Sequence, residues 1–121
     1  MGKYMLLLGG ADLDKRSGNA ALAPVMFQRF ANWLNDLRAN GHYLESHKLQ
    51  DRTGARLTVR SGQVVEGPFM ETKEAVGGVF LIQAASLQEA IALARGCPIF
   101  ELQNGFVEVR AVEEVGRPGP G

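Results

Sequence analysis

The chain has 121 residues with 13 basic and 13 acidic side chains, so no basic excess would attract nucleic acid or an anionic membrane surface. Its length fits a single domain with one core, and its apolar runs are too short for a membrane span or a convincing signal peptide, which favours a cytoplasmic location. Its one cysteine, Cys97, excludes an internal disulfide and any site built from several cysteines.

The first third of the chain predicts a strand, a long connection and a helix. Residues 3–9 form an apolar run without alternation, which indicates a strand covered on both faces. Residues 10–23 have no period and predict a connection that is either disordered or a lid. A helix is predicted from Pro24, in its first turn, to a stop at Gly41. Its inward stripe is Phe27, Phe30, Ala31, Leu34 and Leu37, flanked by Met26 and Trp33.

A strand and a hairpin are predicted next. Alternation after Gly41 places one set of side chains on one strand face, namely Tyr43, Glu45, His47 and Leu49. Residues 55–60 alternate apolar and polar side chains, as a half-buried strand does. Ser61 and Gly62 then make a tight turn into Gln63-Val64-Val65. These two short strands predict a hairpin arm with charged outer positions.

The last third of the chain predicts a strand, a helix and a final strand. Residues 76–84 are apolar in succession, so both faces of this strand must be dry. A capping box at 86–89 opens a helix that stops at Gly96, with an inward stripe of Leu87, Ala90, Ile91 and Ala94. Residues 105–112 alternate, with Phe106, Glu108, Arg110 and Val112 on one face. Residues 116–121 predict a frayed tail, which leaves one domain over 1–115.

The order of these elements predicts an α+β fold with a ferredoxin-like antiparallel sheet and two helices on one face. One helical layer can cover only one side of strands that are apolar on both. The simplest way to cover the other side is an isologous homodimer in which two sheets stack through their open faces. The pattern thus makes a second copy of the chain the first expected partner.

A segment rich in turn and charged residues joins the hairpin to the strand predicted over 76–84. It reads Glu-Gly-Pro-Phe-Met-Glu-Thr-Lys-Glu over 66–74 and ends at Gly77-Gly78. This resembles the signature of YCII-related proteins of the DGPF type, with Glu66 in place of the usual first aspartate. Further matches are the starting Lys-Tyr-Met-Leu-Leu, Ser-Leu-x-Glu-Ala at 86–90, Cys97-Pro98 and Val-Glu-Val-Arg at 107–110. The resemblance implies a dimeric α+β barrel, the fold also known for muconolactone isomerases.

Two pairs of side chains are candidates for chemistry. Arg110 and Glu108 leave the last strand on one face, where Arg110 could clamp a small ligand by its carboxylate while Glu108 orients the ligand or moves a proton. The structural alternative pairs them with Glu71, Lys73 or Glu74 of the signature segment.

A carboxylate beside an imidazole, as in Glu45 and His47, is the smallest arrangement that can transfer a proton near neutral pH. The alternative is that His47 is simply a surface or interface residue. A histidine and an aspartate used by some YCII-like proteins in proton abstraction or lactone chemistry have no reliable counterpart here.

The signature segment supplies the remaining candidate ligand contacts. Gly77 and Gly78 allow a ligand or another strand to approach the backbone closely. Glu71, Lys73 and Glu74 lie between Gly-Pro and Gly-Gly. These flanking residues constrain the backbone, which is more typical of a loop with a defined geometry than of a solvated run of charges. His42 and His47, the two histidines, fall on opposite strand faces, so no metal site is expected.

Three functions remain open at this point. The first is a cytoplasmic homodimer whose cleft binds a small, anionic molecule with at most proton-transfer chemistry and no cofactor. The second is an enzyme resembling the muconolactone isomerases, an isomerase or lyase with Glu45, His47 or Glu108 as base and Arg110 or Lys73 stabilising negative charge. The third is a transcription-linked regulatory or interaction module. Neither nucleic acid nor a membrane is an expected partner.

Overall fold

The computed structural model describes residues 1–10, 19–50, 53–67 and 76–113. The strands are β1 (Gly2–Gly9), β2 (Tyr43–Lys48), β3 (Leu57–Arg60), β4 (Gln63–Glu66), β5 (Val76–Ala84) and β6 (Phe106–Ala111). The helices are α1 (Asn19–Ala39), α2 (Leu87–Arg95) and a 3-10 helix, Pro98–Glu101. β2, β5, β1 and β6 form one antiparallel sheet in that order, and β3 pairs with β4 separately. This confirms the α+β class and the ferredoxin-like order.

The core lies between the four-stranded sheet and the helices. Leu6 of β1 and Ile82 of β5 are fully buried there. Every second residue of each strand points to the helical side of the sheet, and in the β1–β5 register both residues are among these. Trp33 of α1 packs against this layer, with its ring centroid 4.8 Å from that of Phe80. Its indole N–H donates to the Leu93 carbonyl at 3.3 Å, so its polar group is satisfied. Burial of each large apolar side chain contributes about 1.5–3 kcal/mol.

The first helix is longer than predicted and is rotated relative to the predicted stripe. It begins at Asn19, and Pro24 lies inside it. The added turn, residues 19–23, is rich in alanine, the best helix former, and it takes up the end of the predicted connection. Phe27, predicted to face inward, is 76% exposed. The inward positions are Met26, Phe30, Trp33 and Leu37, a spacing of four, three and four that centres on the largest side chain.

A bulge in β2 changes which side chains share a face. The register of β2 against β5 shifts between Tyr43 and Glu45, which adds one residue to β2 there. Tyr43 therefore lies opposite the buried Ile82 and its hydroxyl bonds Ser46 Oγ at 2.9 Å. The prediction that Tyr43 shares a face with Glu45 and His47 was wrong, because simple alternation does not hold across a bulge.

The predicted hairpin forms, but its apolar side chains are exposed. Ser61 and Gly62 have φ of 51° and 78°, as a tight hairpin turn requires. Leu57 and Val59 are 65% and 70% exposed, whereas the alternation predicted a half-buried strand. The hairpin is a separate two-stranded sheet, so the helical layer of the main sheet does not cover these side chains.

The second helix and the last strand lie where the pattern predicted them. Ser86 caps α2 by accepting from Glu89 N, and Glu89 in turn accepts from Ala85 N. Ala90 and Ala94 are buried as expected, whereas Leu87 is 43% exposed because it sits in the first turn at the edge of the packing. The predicted tail at 116–121 and most of the predicted connection, 11–18, lie outside the described residues.

Candidate functional site on the open sheet face

The sheet face away from the helices, here called the open face, has an apolar centre and polar edges. Two rows of side chains cross it in the strand order β2, β5, β1 and β6. The first row is His47, Val79, Leu7 and Glu108, and the second is Glu45, Leu81, Met5 and Arg110. The four apolar side chains of these rows are only half-buried in the protomer. The strands therefore bring together, on one face, both pairs that the sequence singled out.

Glu45 and His47 form the polar group at the β2 edge. The bulge in β2 aims both side chains at the open face, and His47 Nε2 lies 2.8 Å from Glu45 Oε2. The two side chains are 60% and 62% exposed. A carboxylate in hydrogen-bond contact with an imidazole can hold or pass a proton near neutral pH. In the protomer this pair is solvated, so proton transfer shielded from water requires something that covers the open face.

Glu108 and Arg110 form the polar group at the opposite edge, on β6. Arg110 Nη1 donates to Glu108 Oε2 at 3.1 Å, and both side chains are more than half exposed. The two residues thus pair with each other along their own strand. A guanidinium has five donors, so Arg110 retains the capacity to bind a ligand carboxylate beside Glu108.

The two polar groups of one protomer do not touch. Three strand spacings of about 4.8 Å separate β2 from β6, so the pairs lie roughly 14 Å apart across the apolar centre. One protomer therefore presents a proton-transfer pair and an anion-binding pair on one surface without joining them into a single site.

Of the signature segment, only its two ends can be placed. Gly78 is buried, and a Cβ added there would lie 3.4 Å from the His47 carbonyl oxygen, at the limit of ordinary van der Waals contact. At Gly77 an added Cβ would meet nothing within 4 Å. The predicted contact residues Glu71, Lys73 and Glu74 lie outside the described residues.

A shallow groove on the helical side is a feature that the sequence analysis missed. It has a volume of about 240 Å³ and lies between α1 and the 3-10 helix, beside Trp33 and Asp36. Arg29 and Glu101 line it and pair across it at 2.9 Å. The polar face of α1 was the available signal, but it looks like any solvated helix face. The helical layer separates this groove from the open face.

Metal-ligand clusters and membrane-spanning helices are both absent from the described ranges. Within them, His, Cys, Asp and Glu side chains nowhere gather in a group of three or more that could hold a metal ion. Across the same ranges, neither helix combines the length and apolar character needed to cross a bilayer.

Cys97 is expected to resist alkylation in the folded protein. The thiol is buried directly after α2, and desolvation raises its pKa to about 11 despite a backbone hydrogen bond at Ile99. At pH 8 the reactive thiolate is therefore scarce and shielded. Iodoacetamide labelling followed by mass spectrometry should show modification only after denaturant is added. Rapid labelling of the native chain would show that this thiol is accessible.

Comparison with known proteins places the chain in a family. The profile of the YCII-related domain matches residues 22–115. An uncharacterised protein of Rhizobium meliloti (strain 1021) is 47% identical over 47 residues, a stretch that covers 39% of this chain and 38% of that protein. The shared stretch spans well under half of the relative's length. Since the family profile covers most of the chain, including β2, β5 and β6 of the open face, this protein belongs to the YCII-related family.

Proposed function

We propose that the chain is a cytoplasmic, DGPF-type YCII-related homodimer that binds a small anionic molecule between two stacked sheets, with proton transfer as its chemistry. One observation carries the proposal: the open face has an apolar centre with an acid-base pair at each edge. An apolar sheet face gains stability when it is removed from water. Charged groups at its two edges then determine how a second copy can lie on it.

The open face is complementary to itself. If the twofold axis between two stacked faces runs along the strands, β2 lies over the partner's β6, and Glu45 faces the partner's Arg110. If the axis runs across the strands, β2 lies over the partner's β2, and Glu45 faces the partner's His47. Either axis sets acids against bases and apolar side chains against apolar side chains, which favours an isologous dimer.

Stacking also changes what the polar pairs can do. Facing sheets lie about 10 Å apart, so charged side chains at the edges reach across the space while the centre is dry. Removal of water strengthens the interaction of Arg110 with a bound carboxylate and shields the Glu45–His47 pair. An anion held by Arg110 and a carboxylate–imidazole pair that moves a proton are the parts that an isomerase or lyase acting on a small acid requires.

Binding can be tested by thermal unfolding with a library of small carboxylic acids. We expect some acids to stabilise the wild type by about 2.7 kcal/mol at a hundred times their dissociation constant, and to stabilise Arg110→Ala far less. Arg95→Ala is the matched control, because Arg95 lies exposed in the last turn of α2, on the helical side. An equal response of Arg110→Ala and wild type, or no response to any acid, would count against the proposed site.

A further inference from the structure

The hairpin arm, residues 57–66, has an apolar face that nothing in the described chain covers. Leu57, Val59 and Val64 are 65%, 70% and 69% exposed. Val59 and Val64 lie directly opposite each other in the β3–β4 ladder, and Leu57 is two residues from Val59, so the three side chains share one face, with Glu66 opposite Leu57 at its end. Three large apolar side chains on one projecting element form a surface suited to contact with another molecule.

The middle of the arm's other face is less exposed than its apolar face. Thr58 and Val65, which pair in the ladder, are half-buried. The Thr58 hydroxyl is shielded from solvent and has no hydrogen-bond partner among the residues that the structure describes. A hairpin of two strands is at best marginally stable in water when nothing packs against it. The apolar face is therefore the side on which a further contact would stabilise the arm.

The area of the open face favours a second copy of the chain as the molecule that contacts the arm. Four strands spaced about 4.8 Å apart and on average about seven residues long give a face of roughly 450 Å². A standard interface buries about 800 Å² on each partner, so the open faces alone supply about half of what a stable dimer needs. In a twofold dimer each arm adds contact area on both protomers, since each protomer gives one arm and receives another.

The arm also lies at one end of the open face, where it can add to the contact area of a dimer. The ladder between β2 and β5 continues past the end of β2 through a hydrogen bond from Leu49 N to the carbonyl of Gly77 in β5 at 2.9 Å. The arm is inserted between these two strands in the sequence, and both carry side chains of the open face. The arm therefore leaves the sheet at the end of that face, where it is continuous with the seam between two stacked sheets.

We propose that the hairpin arm packs its apolar face on the second copy of the chain and closes one end of the seam. This inference rests on the homodimer proposed above. It also explains the alternation of residues 55–60, which is that of a half-buried strand although the protomer leaves Leu57 and Val59 in solvent. The pattern is that of a strand buried by assembly.

The test is the double variant Val59→Thr with Val64→Thr, studied by sedimentation equilibrium over a range of concentrations. Threonine keeps the β-branched shape and the strand propensity of valine but adds a hydroxyl, so the hairpin itself should persist. We expect the dimer dissociation constant to rise about tenfold, with unchanged protomer folding by circular dichroism. Val25→Thr, at an exposed position of α1, is the control and should leave it unchanged.

A second readout keeps the outcomes apart. The introduced thiol of Val59→Cys should react freely at dilutions where the chain is monomeric and become protected as the dimer forms, while that of Gln88→Cys on α2 reacts equally in both states. If the wild type is dimeric but the double variant dissociates no more readily, the arm proposal is overturned and the homodimer stands. A wild type that is monomeric at micromolar concentration overturns both. Protection of the Val59→Cys thiol by lipid vesicles at monomer dilution would assign the face to a membrane and overturn the arm contact.

Discussion

Replacement of Leu81 by lysine is expected to convert the proposed homodimer into a folded monomer. Leu81 lies in the apolar centre of the open face, between Glu45 on β2 and Met5 on β1. In the single chain the position is partly exposed, so a lysine there can extend its ammonium into solvent and folding should survive. In the stacked dimer the same ammonium would lie near the dry middle of the seam, where an unpaired charge costs several kcal/mol.

We expect the dissociation constant of Leu81→Lys to rise at least about a hundredfold, the size of effect seen at the centre of a packed interface. Sedimentation velocity over a concentration series measures it, and the fluorescence of Trp33, the single tryptophan, reports whether the core is intact. Gln88→Lys adds the same charge at an exposed position of α2 and should leave the dimer unchanged. A Leu81→Lys protein that stays dimeric would show that the interface lies elsewhere.

Substitution of Gly105 by alanine is expected to destabilise the protomer severely. Gly105 precedes β6, and a Cβ at this position would collide with the carbonyl oxygen of Ile99, which belongs to the 3-10 helix. The obstacle is backbone, which cannot rotate away as a flexible side chain can. Ile99 is itself buried, so relief of the collision must displace either the 3-10 helix or the start of β6. Forced overpacking of this kind costs roughly 3 kcal/mol.

For a chain of this length, a loss of roughly 3 kcal/mol in the free energy of unfolding lowers the unfolding midpoint by about 10 °C. Calorimetry or circular dichroism detects such a fall readily. The matched control is Gly77→Ala in β5, where an added Cβ meets nothing within 4 Å and the effect should stay within about 0.5 kcal/mol. Equal stability of the Gly105→Ala and wild-type proteins would mean that the 3-10 helix shifts at little cost.

The position of Glu45 and His47 bears on whether the protein is an enzyme. Their contact at 2.8 Å is the geometry that proton transfer requires, yet both side chains are solvated in the protomer. In the proposed homodimer, the second copy would supply the dry surroundings that catalysis by this pair requires. A variant that weakens the dimer away from the pair, such as Val59→Thr with Val64→Thr, should then lose activity at dilutions where it is monomeric.

Local pattern was sufficient for most elements of the fold. The consecutive apolar residues of β5, the capping box of α2 and the alternation of β6 each predicted the element that the structure shows. These signals succeed because the spacing of apolar side chains along one segment sets which of its faces can be buried, and a helix cap lies within a few residues of the helix it starts.

Other features depended on contacts that local pattern does not contain. The inward face of α1 is centred on Trp33 because that side chain fits against Phe80 of β5, 47 residues later in the chain. The bulge in β2 follows from its pairing with β5, so alternation could not show that Tyr43 lies on the core side while Glu45 and His47 lie on the open face. Likewise, the exposed apolar side chains of the arm result from its being a separate sheet.

By itself, the sequence determined the α+β class, the order of the strands and helices, and the two acid-base pairs worth attention, because each depends on residue types at short spacing. Only the tertiary structure decided that both pairs lie on one face, opposite the helices, about 14 Å apart and on either side of an apolar centre. That arrangement depends on which strands become neighbours. Strand order and register are settled by long-range hydrogen bonding and core packing, to which every strand of the sheet contributes.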